Sequence, residues 1–195
     1  MLIVKATTCV GGVKNMDSKL LATWLGITDC WAMGEAMGGE ALKFVADKLK
    51  AKRPEEHPGT GPIKALLGKV DFRETHLISC LDAELGEAYK RWIGCPAQLH
   101  QVNVSDPSSF QDVIQAVTGV FETVRSKLRK GERLCIHLTP GTTTMGAISL
   151  LLGKTRFHPT TFYQAHQDSA REVDIPFDIM VDFVPELLRD TDRSL

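Results

Sequence analysis

Residues 139–144 read Thr-Pro-Gly-Thr-Thr-Thr, four hydroxyls around one glycine, between the apolar stretches LCIHL (134–138) and GAISLLLG (146–153). Such a turn can do two things. A threonine after glycine is an ordinary helix N-cap, and capping needs one hydroxyl. The same turn can hold a phosphate or ribose, because glycine lets the backbone approach closely and the first N–H groups of a helix attract anions. On this reading Thr139, Gly141, Thr142, Thr143 and Thr144 are ligand-binding residues. A second Gly/Thr turn, ATTCVGG (6–12), supplies Thr8, Gly11 and Gly12 to the same site.

The titratable residues are weighed in the same way. His166, at the end of a strand-like segment, faces the same end of the sheet as this turn. His137, inside LCIHL, reads as a core histidine, and His100 as a packing or face residue. Asp82 reads as a helix cap. Glu172, Asp174, Asp178 and Asp182 alternate along the tail, as on the solvent face of an edge strand. With no D-x-D or H-x-x-x-H arrangement near a turn, neither a metal site nor a cofactor is expected.

The elements that would position these residues follow from hydrophobic patterning. Five short segments rich in Val, Ile, Leu, Thr or Cys lie at 2–9, 75–81, 97–104, 133–139 and 160–166, separated by helix-like stretches. That alternation predicts an α/β fold, a doubly wound, mainly parallel Rossmann-like sheet of order 3-2-1-4-5, with antiparallel edge strands around 172–183. The strand order reverses between strands one and four, so the turns after those strands should line the ligand crevice. The clearest helix follows the third strand. It is expected to be capped by Asp106, with Pro107 in its first turn and Phe110, Val113, Val117, Phe121 and Val124 at helical spacing. Residues 38–50 form an amphipathic helix and 51–62 a Pro/Gly-rich loop. The stretch MDSKLLATWLGITDCWAMGEAMGG (16–39) reads as a helical cover over the core.

The whole chain bounds these readings. Its 195 residues fit one domain over 1–195, with an enlarged first connection over about 13–70. A hydrophobic fraction of 43%, a charged fraction of 24% and a net charge of -1 are those of a water-soluble globular chain and give no general polyanion-binding signal. A long nucleic acid is therefore not an expected partner. The five scattered cysteines show no paired spacing, and no signal peptide or membrane-length apolar run is present, so a cytoplasmic protein with reduced thiols is expected.

The segment RLCIHLTPGTTTMGAISLLLG (133–153) resembles the strand-four signature of CARF (CRISPR-associated Rossmann-fold) domains: an apolar strand, Ser/Thr-x-Gly-Thr, then a small-residue apolar helix. The preceding LHQVNVSDPSSFQDV is similar to that family's third strand and the helix opening after it. The Thr-x-Gly-Thr version of the loop is shared with the RtcR-like sensor domains. The resemblance spans about 75–168, and it departs from the family in the long, aromatic stretch 13–70.

The resemblance implies a two-fold homodimer that binds a cyclic oligoadenylate, or a related RNA-derived end, across its axis, as a second-messenger sensor in CRISPR antiviral defence or its regulation. Adenines would sit in flanking pockets, with Trp24, Trp31 or Tyr163 as platforms. The alternative it implies is a stand-alone, metal-independent ring nuclease, in which the ribose 2′-hydroxyl attacks the adjacent phosphate, with Thr142 and Thr143 as catalytic residues and His166 as the candidate general base. Outside the resemblance, the residues alone also allow an unrelated doubly wound domain whose Gly-Thr turn is only a cap.

Overall fold

The centre of the sheet is a strand buried on both faces. In a computed structural model, which describes residues 19–55, 59–166 and 169–176, that strand is β1, Leu20–Trp24. Strands β2 (Glu74–Ser79), β3 (Ala97–Gln101), β4 (Leu134–His137), β5 (Thr160–His166) and β6 (Ser169–Val173) complete a six-stranded sheet of order β3-β2-β1-β4-β5-β6. All neighbours are parallel except β5 and β6. This is the expected Rossmann-like α/β order; of the antiparallel edge strands expected around 172–183, β6 is the one described, at Ser169–Val173, and 177–183 lie outside the described residues.

The segment expected to open the sheet, 2–9, and the turn carrying Thr8, Gly11 and Gly12 lie outside the described residues. The central position is held instead by Leu20–Trp24, which corrects the reading of 16–39 as a helical cover. The five residues LLATW are buried from both sides and so carry no polar alternation. A buried strand of that length cannot be told from a buried helix by periodicity.

Helices cover both faces. After β1 the chain runs through α1 (Ile27–Met37), α2 (Gly39–Leu49) and α3 (Pro62–Leu67) to β2, then through α4 (Ala83–Trp92) to β3. Leu25, Trp31, Met33, Val45, Ile63, Leu77, Leu85 and Tyr89 form one core on that side. The other face carries α5 (Phe110–Ser126), between β3 and β4, and α6 (Thr143–Lys154), between β4 and β5. There Leu20, Ala22, Trp24 and Ile136 pack against Val117, Phe121, Val124 and Ile148. Alternate residues of β1 thus serve opposite cores, as the pleat of a strand requires.

Caps set the helix starts. Ser109, not Asp106, caps α5: its hydroxyl accepts from Asp112 N at 3.3 Å, while Asp106 closes the preceding turn by accepting from Ser108 N at 2.8 Å. Asp82 caps α4, accepting from Glu84 N and Leu85 N. His100 packs on the sheet face against His76, the rings stacked and Nδ1 of His76 2.9 Å from Nε2 of His100.

The last turn of α6 lies close on the sheet. A Cβ on Gly153 would fall 2.7 Å from Cζ of Phe162 and 3.1 Å from Cδ1 of Ile136. Overpacking of this kind typically costs about 1–3 kcal/mol. Gly153→Val should therefore lower stability by about that much in urea titration, by lifting α6 from β4 and β5.

Candidate functional site at the switch point

β1 and β4 are parallel neighbours, so both chains leave the sheet at the same end. From there α1 descends on one face and α6 on the other. Between them opens a cavity of about 290 Å³, lined by Leu25–Asp29 after β1, Thr139–Thr142 and Met145 after β4, and Pro62, Cys80, Leu81 and Pro107. Its walls are mostly apolar, with polar groups at the two turns.

The two turns touch through glycines. Gly141 has φ +92°, and a Cβ there would fall 2.8 Å from Sδ of Met145 and 3.3 Å from Cβ of Trp24. A Cβ on Gly26 would stand 3.1 Å from the backbone N of Gly141 and 3.1 Å from Oδ2 of Asp29. Both positions need glycine, the first for its conformation as well as its space.

The threonines divide their work. Thr142 is the N-cap of α6: its hydroxyl accepts from Met145 N at 3.2 Å and donates to Pro107 O at 2.9 Å, while its own N–H points to Sδ of Met145 at 3.4 Å. Thr144 donates to Ser108 O at 3.3 Å, tying α6 to the start of α5. The Thr139 hydroxyl accepts from Ala165 N at 2.8 Å. The hydroxyl of Thr143 is exposed, and among the described residues neither it nor the N–H groups of Thr143 and Thr144 have a protein partner. Of the five expected residues of this turn, Thr139, Gly141 and Thr142 line the cavity, whereas Thr143 and Thr144, the next two residues on the first turn of α6, do not.

Two helix N-termini flank the cavity, and they differ in charge. α1 carries Asp29 in its first turn, which offsets its dipole, whereas α6 has no acidic residue there. The uncompensated positive end is therefore that of α6.

Asp29 was not singled out in the sequence. Its side chain is fully buried at the back of the cavity wall, accepting from Gly26 N (3.3 Å), Ile63 N (2.8 Å) and Tyr89 Oη (3.4 Å). Burial pushes its carboxyl up to about 7, against the hydrogen bonds that pull it down. Thr28, exposed at the cavity, is a further hydroxyl the sequence reading passed over. A signal was present: Gly26 with Asp29 three residues later has the spacing of a capping pair.

The other expected residues are placed elsewhere. His166 stands exposed at the end of β5 in an adjoining groove with Gln164, Thr139 and Arg171; Thr139 borders both hollows. His137 is buried, its Nδ1 3.5 Å from Oγ1 of Thr23, and burial lowers its pKa to about 3. Trp24, Trp31 and Tyr163 are 2%, 4% and 2% exposed, so none is a platform for a base: each is spent on the core. The Trp24 indole donates to Ser149 Oγ, pinning β1 to α6. Lys154 donates to Ile175 O and Arg156 pairs with Glu122, both away from the cavity. Among the described residues, no cluster of three or more His, Cys, Asp or Glu side chains is arranged to hold a metal ion.

His137 makes the fold acid-sensitive. An unfolded chain protonates this ring below about pH 6.5, but the folded chain holds it neutral down to about 3, so its contribution to stability is present above 6.5 and lost as pH falls. Asp29 has the opposite sign: its raised value favours folding below about pH 4, and that contribution is lost as pH rises through about 7. His137→Leu should therefore flatten the loss of stability between about pH 6.5 and 4 by about one proton's worth of slope, read from urea unfolding at stepped pH.

No protein-family model matches the sequence, and no curated protein matches it significantly. Among solved structures the fold matches that of Enterococcus italicus Csm6 bound to cyclic hexa-2′-fluoro-hexa-dAMP, with a TM-score of 0.58 and 13% sequence identity. The match covers 91% of this chain and 45% of that one, so the chain spans less than half the length of the neighbour. At that identity the likeness is one of fold, a Rossmann-like α/β architecture.

Proposed function

We propose that this chain is a sensor domain for a cyclic oligoadenylate, binding the nucleotide at the cavity between the β1 and β4 turns as a two-fold dimer. The observation that carries the reading is the uncompensated N-terminus of α6, with free N–H groups and a free hydroxyl at Thr143, beside a mostly apolar hollow. Phosphate or ribose would meet Gly141, Thr142, Thr143 and the first turn of α6, and an adenine would enter the apolar hollow. The fold match supports the ligand class, since the matched Csm6 structure holds a cyclic hexanucleotide analogue. Two-fold symmetry would present each turn twice to a cyclic ligand of matching symmetry.

Binding is favoured over cleavage by the state of the nearby bases. Both Asp29 oxygens already accept from protein donors, His137 is buried in strand β4, and His166 stands in the adjoining groove rather than in the cavity. Turnover would then rest on in-line placement of the 2′-hydroxyl and on Thr142 and Thr143, with His166 of the adjoining groove as the candidate base. Isothermal calorimetry with cyclic tetra- and hexa-adenylate tests the sensor reading. Thr143→Ala should weaken binding by about tenfold and leave the melting temperature unchanged, whereas Thr142→Ala should also cost about 1 kcal/mol of stability as a lost cap. No heat with either ring overturns the reading. Linear product after incubation with chelator replaces it by the ring nuclease.

A further inference from the structure

The wall of the cavity opposite α6 is not held by covalent continuity. Leu25–Thr28 follows β1, while Pro62 belongs to α3, more than thirty residues further along the chain. Beside the apolar packing of Leu25, Trp31 and Ile63 in one core, a single carboxylate ties them by hydrogen bonds. Oδ1 of Asp29 accepts from Ile63 N at the start of α3 and from Tyr89 Oη on α4, and Oδ2 accepts from Gly26 N in the turn itself. We propose that Asp29 is the positioning residue of the cavity, holding the Gly26 turn and the start of α3 as a single wall through donor contacts to one buried side chain. The ligand end of this inference rests on the sensor reading above; the wall itself does not.

The donors make the device sensitive to a proton. All three partners donate to the ionised carboxylate; a proton on either oxygen leaves that oxygen a weaker acceptor, and of the three partners only the Tyr89 hydroxyl can turn to accept it. The weaker backbone contact is at Oδ2, 3.3 Å from Gly26 N against 2.8 Å for Ile63 N on Oδ1. A proton at Oδ2 therefore loosens the Gly26 turn, which lies against the backbone of Gly141, while Oδ1 keeps its hold on α3. The groups facing the carboxyl are Tyr89 on α4 and Cys30 beside it on α1, with Cys95 acting on Tyr89 from behind; α3 presents backbone. Burial pushes both the Cys30 thiol and the Tyr89 phenol up, so neither ionises near neutrality. Wall order and global stability then run in opposite senses: ionisation organises the turn while it costs the fold a buried charge.

Amide NMR of the whole chain from about pH 5.5 to about 8.5 tests this. The Gly26 amide should titrate with a midpoint at about 7 and the Ile63 amide should move less. Tyr89→Phe, which removes one donor, should move that midpoint upward, and Asp29→Asn should abolish the titration. In parallel, affinity for cyclic hexa-adenylate should fall by roughly five- to tenfold from about pH 8 to about 6, as the ordered fraction falls, and should be flat in Asp29→Asn. A Gly26 amide that does not titrate, or that titrates unchanged in Tyr89→Phe, overturns the positioning role. A Gly26 amide that titrates as described, with no adenylate bound at any pH, upholds the positioning role and overturns the ligand assignment.

Discussion

Two parallel strands lie side by side at the centre of the sheet, and their following helices leave on opposite faces. That divergence is the constraint from which the rest follows. Had α1 and α6 both packed on one face, one helix would cover the start of the other and no hollow would form. Because they part, the backbones of Gly26 and Gly141 are brought together at the strand ends, and the first turns of both helices open toward the same space. Apolar packing on each face holds the divergence, with Trp24 and Ile148 on one side and Leu25, Trp31 and Ile63 on the other.

Within that frame the threonine run at 142–144 has two uses. Thr142 is needed to start α6, and Thr144 to seat that start against the segment before α5. These are structural tasks that any strand-to-helix turn could demand. Thr143 has no such task, and the positive end of α6 carries no acidic residue to quench it. The residue with the least structural employment is thus the one best placed to meet a ligand. The opposite holds for Asp29, whose whole chemistry is spent inside the protein.

Much of this was legible in the sequence. Strands β2 to β5 and helices α5 and α6 stand where patterning put them, because each is bounded by polar or Gly/Pro residues that mark its ends. The strand order followed from right-handed crossovers. What patterning could not give was the identity of the central strand. LLATW is buried on both faces, so it lacks the alternation that marks a half-buried strand, and it precedes a helix rich in Trp and Met that draws the reading toward a cover. The Gly/Thr pattern therefore points to 6–12 for the partner turn, away from Gly26, Thr28 and Asp29. Asp29 in particular was hidden by its position in a helical stretch, since its three partners come from residues 26, 63 and 89. His137 was read as a core residue because it sits inside an apolar strand, and burial holds it neutral there.

The register of β1 has a consequence for how the molecule assembles. Leu20 pairs with Glu74 on one side and with Leu134 on the other, so the central strand finds its neighbours only after long stretches of chain have been gathered in. Loop-closure entropy must be met before either pairing is rewarded. The cavity cannot exist before that step, since one lip follows β1 and the other follows β4. A chain still emerging from synthesis, or one whose β4 has come undone, has no partial version of the pocket to offer. The pocket is in this sense a report that β1 and β4 have paired.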